Sequence, residues 1–301
     1  MRSQSNGHHP DLGAALDHLL SSGGKRVRPA VALLAGGMLG ADPGRLITLA
    51  AAIELLHTAT LVHDDLIDGS LLRRGMATLN SQWSPAATVL TGDFVFARAA
   101  KLAAETDSVS VMRLFAETLA TIVNGEITQM FSSRGLVSRE NYYLRIYAKT
   151  ASMFELATAA AALLSPVDDC VTEQLRIYGY QIGMAFQIVD DVLDFTSEQS
   201  TVGKPVASDL RQGLITLPAL HYLEIYPDDQ DMHALLNTGH SNDASMERLI
   251  ASIRQSGAIE SSMDEAGLFI DRAIKMLDGL PGSPECQALE DLAHYIIQRS
   301  L

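Results

Sequence analysis

Apolar residues recur at three- and four-residue spacing along nearly the whole chain, and strict alternation of apolar with polar positions is absent. That spacing is the signature of helices with a face turned to a core, whereas alternation marks half-buried strands. The pattern therefore predicts helices throughout and no sheet. Helix punctuation agrees. Ser84 followed by Pro85 predicts an N-cap with proline in the first turn, opening AATVLTGDFVFARAAKLAAE. Ser138 is expected to cap RENYYLRIYAKTASMFELATAAAALL, which stops at Pro166. Asp168 or Asp169 starts CVTEQLRIYGYQIGMAFQIVDDVLDF. Several of these segments are long and apolar on more than one face, which suits helices in the middle of a large bundle. No Gly/Ser/Pro-rich linker and no short repeat divides the chain, so residues 1–301 read as one all-α domain of roughly ten or more helices.

Composition narrows the function. At 301 residues and 47% hydrophobic content the chain can bury a large core, although length alone would allow about two domains. The net charge of −14 argues against nucleic acid as a partner, because phosphate backbones need a basic face. Two distant cysteines, Cys170 and Cys286, make neither a disulfide framework nor a metal-ligand spacing, which points to a reducing cytoplasm. The first ten residues, MRSQSNGHHP, lack the apolar core of a signal peptide. Charge or His57 is expected to break the longest apolar stretches before they reach membrane-spanning length.

Against that acidic background, residues 61–75 read LVHDDLIDGSLLRRG, with Asp64, Asp65 and Asp68 followed by Arg73 and Arg74. Residues 186–194 read FQIVDDVLD and repeat the spacing with Asp190, Asp191 and Asp194. On a helix, i and i+4 lie one above the other with i+1 beside them. Each triplet thus presents carboxylates over about one turn. One such cluster is most simply a solvated helix end. Two with identical spacing, each closing an apolar helix and each opposing the helix dipole, call for cations to compensate them. Hard oxygen ligands of this kind suit Mg²⁺, which keeps several waters and shares its remaining positions with a substrate phosphate. The carboxylates suggest Mg²⁺, and Mg²⁺ suggests a diphosphate.

The cations fit that chemistry. GGKRVRP brings Lys25, Arg26 and Arg28 together, Lys149 sits in YAKTA and Lys204 in VGKP. Each alone reads as a surface cation, and Arg26 stays in that class. Together they form two anion-binding groups, and the planar fork of arginine can grip two phosphate oxygens. His57 precedes Asp64 by two helical turns on the same face, so it can point into the same place. His63 reads as an ordinary helix residue.

Through GGKRVRP, HTATLVHDDLIDGSLLRRG, GEITQ, YAKTA, FQIVDDVLDF and GKPVASDLRQGLITLP, in that order over residues 23–218, the chain resembles the trans-isoprenyl diphosphate synthase family. The resemblance implies the isoprenoid synthase class I fold, a single large all-α helical bundle around a deep central cavity. It implies Mg²⁺, about three ions per active site, bound by Asp64, Asp65 and Asp68 from one wall and by Asp190, Asp191 and Asp194 from the facing wall. Arg73, Lys149, Thr150, Gln187 and Lys204 are then expected on the diphosphate of an allylic substrate, with Lys149 and Lys204 joining the aspartates as catalytic residues. Lys25, Arg28, His57 and Arg74 are expected on the diphosphate of isopentenyl diphosphate. Glu126 and Gln129 would orient neighbouring cations. The implied reaction ionises the allylic C–O bond, attacks the carbocation with the double bond of isopentenyl diphosphate, and loses a proton to the released diphosphate. The family further implies a cytoplasmic homodimer without a transmembrane segment, touching a membrane only transiently to release product.

Other readings account for less. A class I terpene cyclase shares the fold and the first triplet but usually carries an Asn/Ser/Glu-type second motif. A non-catalytic partner subunit of a heteromeric synthase would be expected to lose one triplet. A helical Ca²⁺-binding or scaffold protein leaves GGKRVRP and RRG unexplained. Product length follows from Thr60, one turn before Asp64, and its neighbour Ala59. These side chains lie roughly 6–8 Å along the helix from the aspartates, where family members with short products commonly carry an aromatic floor. DDLID also lacks the two-residue insertion of many short-chain bacterial relatives. Two small residues there predict a long polyprenyl product, C30 or beyond. A geranylgeranyl or farnesyl diphosphate synthase with its floor on another helix is the alternative, as is plain close packing of Ala59 and Thr60 against a neighbouring helix.

Overall fold

A computed structural model describes residues 10–21, 23–131, 138–196, 206–239 and 242–299. Among them the chain is helical almost throughout. Its contacts divide it into two compact units, Met1–Glu117 with Leu156–Glu173 and Pro281–Cys286, and Thr118–Glu155 with Gln174–Leu280 and Gln287–Leu301. Both units are discontinuous in sequence, which is why no linker marks them.

The first unit is built on helix α3 (Pro43–Ile67), which follows α1 (Pro10–Ser21) and α2 (Val27–Met38). Asp42 caps α3, accepting from the Arg45 amide at 2.9 Å, and Pro43 fills the first turn. Leu49, Ala52, Ile53, Leu56, Ala59 and Val62 are buried at helical spacing, against α2 and a later helix, residues Pro85–Ala104. Each large aliphatic side chain so enclosed contributes about 1.5–3 kcal/mol. By length and composition α3 could cross a membrane, contrary to the expectation that no stretch would reach that length, because isolated residues such as Glu54 and His57 barely lower its mean hydropathy. Of that apolar window 61% is buried inside the protein, so core packing accounts for its composition.

After α3 comes a feature the apolar pattern did not predict. Strands β1 (Leu72–Arg73) and β2 (Met76–Ala77) pair antiparallel, Leu72 opposite Ala77 and Arg73 opposite Met76. Arg74 and Gly75 form the turn with φ of 52° and 75°. Two consecutive positive φ values are what a two-residue hairpin loop needs, and the signal for it was Gly75 after the two arginines. The short α4 (Leu79–Gln82) leads to α5 (Pro85–Ala104), whose predicted cap is present: Ser84 Oγ accepts from the Ala87 amide at 3.3 Å.

In the second unit, the C-terminal part of α6 (Val109–Phe131) is followed by α7 (Arg139–Ile146), capped by Ser138 as predicted. The long helix expected from there to Pro166 is not uniform. Tyr147–Ala151 form one π turn before α8 (Ser152–Leu163). Two glycines explain where it sits. A Cβ on Gly125 would stand 2.5 Å from Ala148 Cβ, and one on Gly183 would stand 2.6 Å from Ala151 Cα. The bulged backbone occupies the space those missing side chains leave, and such bulges often mark functional segments. Helix α9 (Asp169–Thr196) buries Leu175, Tyr178, Ile182, Ala185, Ile188, Val189, Val192 and Phe195. Asp168 caps it, accepting from the Val171 amide at 3.0 Å. The remainder comprises α10 (Ser208–Arg211), α11 (Leu217–Ile225), α12 (Gln230–Thr238), α13 (Asp243–Gln255), α14 (Ala258–Lys275) and α15 (Pro284–Gln298).

Candidate active site

In the first unit, the end of α3 offers its polar residues along one line. His57, Thr60, Leu61 and Asp64 keep accessible surface, and Asp68 at the C-cap is exposed. Offsets of three, four, seven and eleven from His57 describe a single helix face. Asp65 lies beside that line, only 7% exposed. Arg73 Nε donates to both of its oxygens, at 2.9 and 3.0 Å, and Nη2 lies 2.8 Å away. A forked grip of this kind engages both oxygens of a carboxylate from one side. Asp65 is thus the least accessible of the three, and Arg73, expected on the allylic diphosphate, contacts it here. Ala59 is fully buried whereas Thr60 is partly exposed, with its hydroxyl donating to the His57 carbonyl at 2.8 Å. Of the two small residues, Thr60 faces accessible space and Ala59 packs in the core.

The glycine-rich basic segment meets the same helix. Arg28 Nη1 lies 3.3 Å from His57 Nε2, and Arg74 Nη1 donates to the Gly23 carbonyl. A Cβ on Gly24 would stand 2.5 Å from that Arg74 nitrogen, so the second glycine of GGKR makes room for a guanidinium. Lys25 is exposed on the connecting segment. Burial, then Arg28, Arg74, Arg73 and Arg26, hold the His57 pKa well below its ordinary value. His57 is thus neutral near pH 7, able to exchange hydrogen bonds with an anion without adding charge. Arg26 is not the plain surface cation expected of it: it donates to the carboxylate of Glu54, which is itself buried. Glu54 carried no sequence signal beyond being an acid inside an apolar run.

The second unit sorts its triplet in the same way. Asp191 is buried, accepting from Tyr142 Oη at 2.8 Å and from Gln187 Nε2 at 2.8 Å. Burial pushes its pKa up to about 7, against the lowering effect of those two hydrogen bonds. Thr150 Oγ1 in turn donates to Gln187 Oε1 at 2.6 Å. Thr150 and Gln187, expected on a diphosphate, thus form a chain that ends on Asp191. Asp194 binds the segment after its own helix: Ser208 N and Oγ donate to Oδ1 at 3.1 and 2.9 Å, and Asp209 N to Oδ2 at 3.1 Å. Asp190, like Asp194, is partly exposed, and Arg299 Nη2 lies 2.9 Å from its Oδ1. The same guanidinium sits 3.9 Å over the Phe186 ring. Lys149, set out on the π turn, is exposed, with Nζ 3.2 Å from Glu126 Oε1; Gln129 is exposed as well. Lys204 lies outside the described residues. Tyr142, Ser208 and Arg299 were missed as site residues, because contacts over tens of positions leave no local pattern.

Among the described residues, no three His, Cys, Asp or Glu side chains are already gathered as a closed metal site. Asp64, Asp68 and Asp190 are hard-oxygen donors that keep accessible surface. That suits Mg²⁺, which takes one or two carboxylates and completes its shell with water and phosphate oxygens.

Comparison with known proteins agrees with the geometry. The family model Polyprenyl synthetase matches residues 9–253. The chain is 39% identical over 290 residues to heptaprenyl diphosphate synthase component 2 of Geobacillus stearothermophilus, covering 96% of this chain and 90% of that one. It is 36% identical over 285 residues to octaprenyl diphosphate synthase of Escherichia coli, covering 94% and 88%. A polyprenyl synthase from Caulobacter crescentus, solved with calcium and isoprenyl diphosphate, superposes with a TM-score of 0.93 at 36% identity, covering 100% of this chain and 92% of that one.

Proposed function

The chain belongs to the polyprenyl synthetase family, and on that premise we propose which of its side chains carry the reaction. The protein is a Mg²⁺-dependent trans-prenyltransferase that condenses an allylic diphosphate with isopentenyl diphosphate to give a polyprenyl diphosphate of C30 or longer. In our reading the six aspartates divide the work. Asp64 and Asp68 of the first unit and Asp190 of the second would hold the metal ions, about three in all. Asp65, Asp191 and Asp194 fix the backbone and neighbours of those three through the hydrogen bonds described above.

Bound Mg²⁺ supplies stabilisation of the negative charge that grows on the departing diphosphate. Lys149, steadied by Glu126, adds positive charge to the allylic diphosphate, as does Lys204. Arg28, Arg74 and Lys25 bind the diphosphate of isopentenyl diphosphate, and neutral His57 donates to it. That substrate's double bond attacks the allylic carbocation left when the C–O bond ionises, and the proton lost goes to the released diphosphate. No side-chain nucleophile is required, and the two cysteines, Cys170 and Cys286, are free thiols outside the motifs named here. The free thiols and acidic charge support a cytoplasmic enzyme. The span of the family match, 9–253, supports a single synthase domain that includes both compact units.

The observation that carries this reading is the meeting of Arg28 with His57 on the face of α3 that also bears Asp64. Arg28→Ala is expected to raise KM for isopentenyl diphosphate about tenfold or more, as loss of a charge-assisted phosphate contact should, while leaving KM for the allylic substrate near its original value. Steady-state kinetics with each substrate varied in turn measure this. An effect on the allylic substrate alone would reverse the assignment.

We also read the enzyme as a homodimer. Val123, Ile127, Met130 and Phe131 are 45, 49, 57 and 78% exposed and recur at helical spacing on α6. A stripe of this kind marks an interaction face. Sedimentation velocity is expected to give twice the chain mass of 32.4 kDa, and Ile127→Asp to return the protein to monomer. A wild-type monomer at micromolar concentration would contradict it.

A further inference from the structure

We propose that Glu54 and Arg26 are positioning residues, a clamp that sets the basic segment 24–28 for the diphosphate of isopentenyl diphosphate; the inference rests on the assignment of that site above. The starting point is an acid buried where cations gather. Glu54 is 7% exposed and lies one turn before His57 on α3. A carboxylate beside a diphosphate site repels the ligand unless its charge is already compensated, and a buried one is unstable without a partner. Arg26 is that partner: its Nη1 donates to Glu54 Oε1. Glu54 also acts electrostatically on Arg74.

Arg26 reaches further. Its Nη2 donates to the Leu20 carbonyl at 3.3 Å, so one guanidinium joins the end of α1 to α3. Its backbone lies in the left-handed region, at φ 52° and ψ 33°. A residue with a Cβ is held there only when its surroundings over-determine it. The contacts to Glu54 and Leu20 supply that determination. Arg26 stands between Lys25 and Arg28 and directly precedes α2, so fixing its backbone sets the direction in which both neighbours leave the chain. Gly23 is fixed in parallel by Arg74. Glu54 and Arg26 touch no substrate in this arrangement and act through Lys25, Arg28 and Arg74.

The test is steady-state kinetics on the full chain for wild type, Glu54→Gln, Arg26→Gln, the double variant and Arg28→Ala, with thermal unfolding of each. Glu54→Gln keeps the shape and removes the charge. It should raise KM for isopentenyl diphosphate about tenfold, leave KM for the allylic substrate within about twofold, and change kcat little. The double variant should be no worse than the worse single one, since the two residues act as one unit. Should Glu54→Gln fail to fold, Arg26→Gln, at a partly exposed position, carries the same expectation. The clamp is overturned if the isopentenyl KM stays within about twofold, if the two substitutions simply add, or if both KM values rise together with a fall in Tm. If Arg28→Ala leaves the isopentenyl KM unchanged, the site assignment fails and takes the clamp with it. If Arg28→Ala raises that KM and Glu54→Gln does not, the clamp alone is wrong.

Discussion

Asp64→Ala and Asp190→Ala are each expected to lower turnover at least about a hundredfold, the scale on which removing one electrostatic stabiliser of a transition state acts. Both carboxylates keep accessible surface, whereas Asp65 and Asp191 of the same triplets are buried and held by protein donors. Their accessible surface leaves Asp64 and Asp190 each able to reach a metal ion. Circular dichroism should stay close to wild type in both variants. Asp190→Ala also takes the carboxylate from Arg299, whose side chain is only 5% exposed, so Tm should fall in this variant, by an amount limited by the contact that guanidinium keeps with the Phe186 carbonyl at 2.6 Å. The measurement is kcat at saturating substrates with Mg²⁺ varied, alongside the unfolding curve. Turnover within about tenfold of wild type in either variant, with the fold intact, would remove that carboxylate from the reaction.

Thr60→Phe should shorten the product from C30 or longer towards about C15–C20. Thr60 lies one turn before Asp64, about 6 Å along α3, on the line of accessible residues that runs from His57 to Asp68. A growing chain anchored by its diphosphate at the aspartates passes that level after a few isoprene units. Threonine there is small and spends its hydroxyl on the His57 carbonyl. Phenylalanine would fill the space beyond it. Ala59 makes the contrast. It has no accessible surface, so Ala59→Phe forces a ring into a packed core and should lower stability by about 1–3 kcal/mol. Reversed-phase chromatography of dephosphorylated products reads the length, and thermal unfolding reads the packing. A Thr60→Phe enzyme that still makes wild-type lengths would place the floor elsewhere.

Much of this protein is local, and what is local was legible in the residues. The helical period, the caps Ser84, Ser138 and Asp168, and the matched aspartate triplets all depend on spacings of a few residues, which sequence records directly. The shared face of His57 and Asp64 follows from helix geometry alone. The hairpin of Leu72–Ala77 is too short to show an alternation, and only Gly75 hinted at it. The π turn at Tyr147–Ala151 depends on missing side chains at Gly125 and Gly183, one far upstream and one far downstream.

Within each triplet the sequence shows three equivalent carboxylates. Which of them is buried against a protein donor and which stays accessible was decided mostly by tertiary structure. Arg73 takes Asp65, Tyr142 and Gln187 take Asp191, Ser208 and Asp209 take Asp194, and Glu54 takes the Arg26 that read as a surface cation. The physical reason is that a buried charge must find its partner wherever the fold brings one. Residue type and helical spacing determine that a carboxylate is present and which way it leaves its own helix. Only the packed chain determines what meets it there.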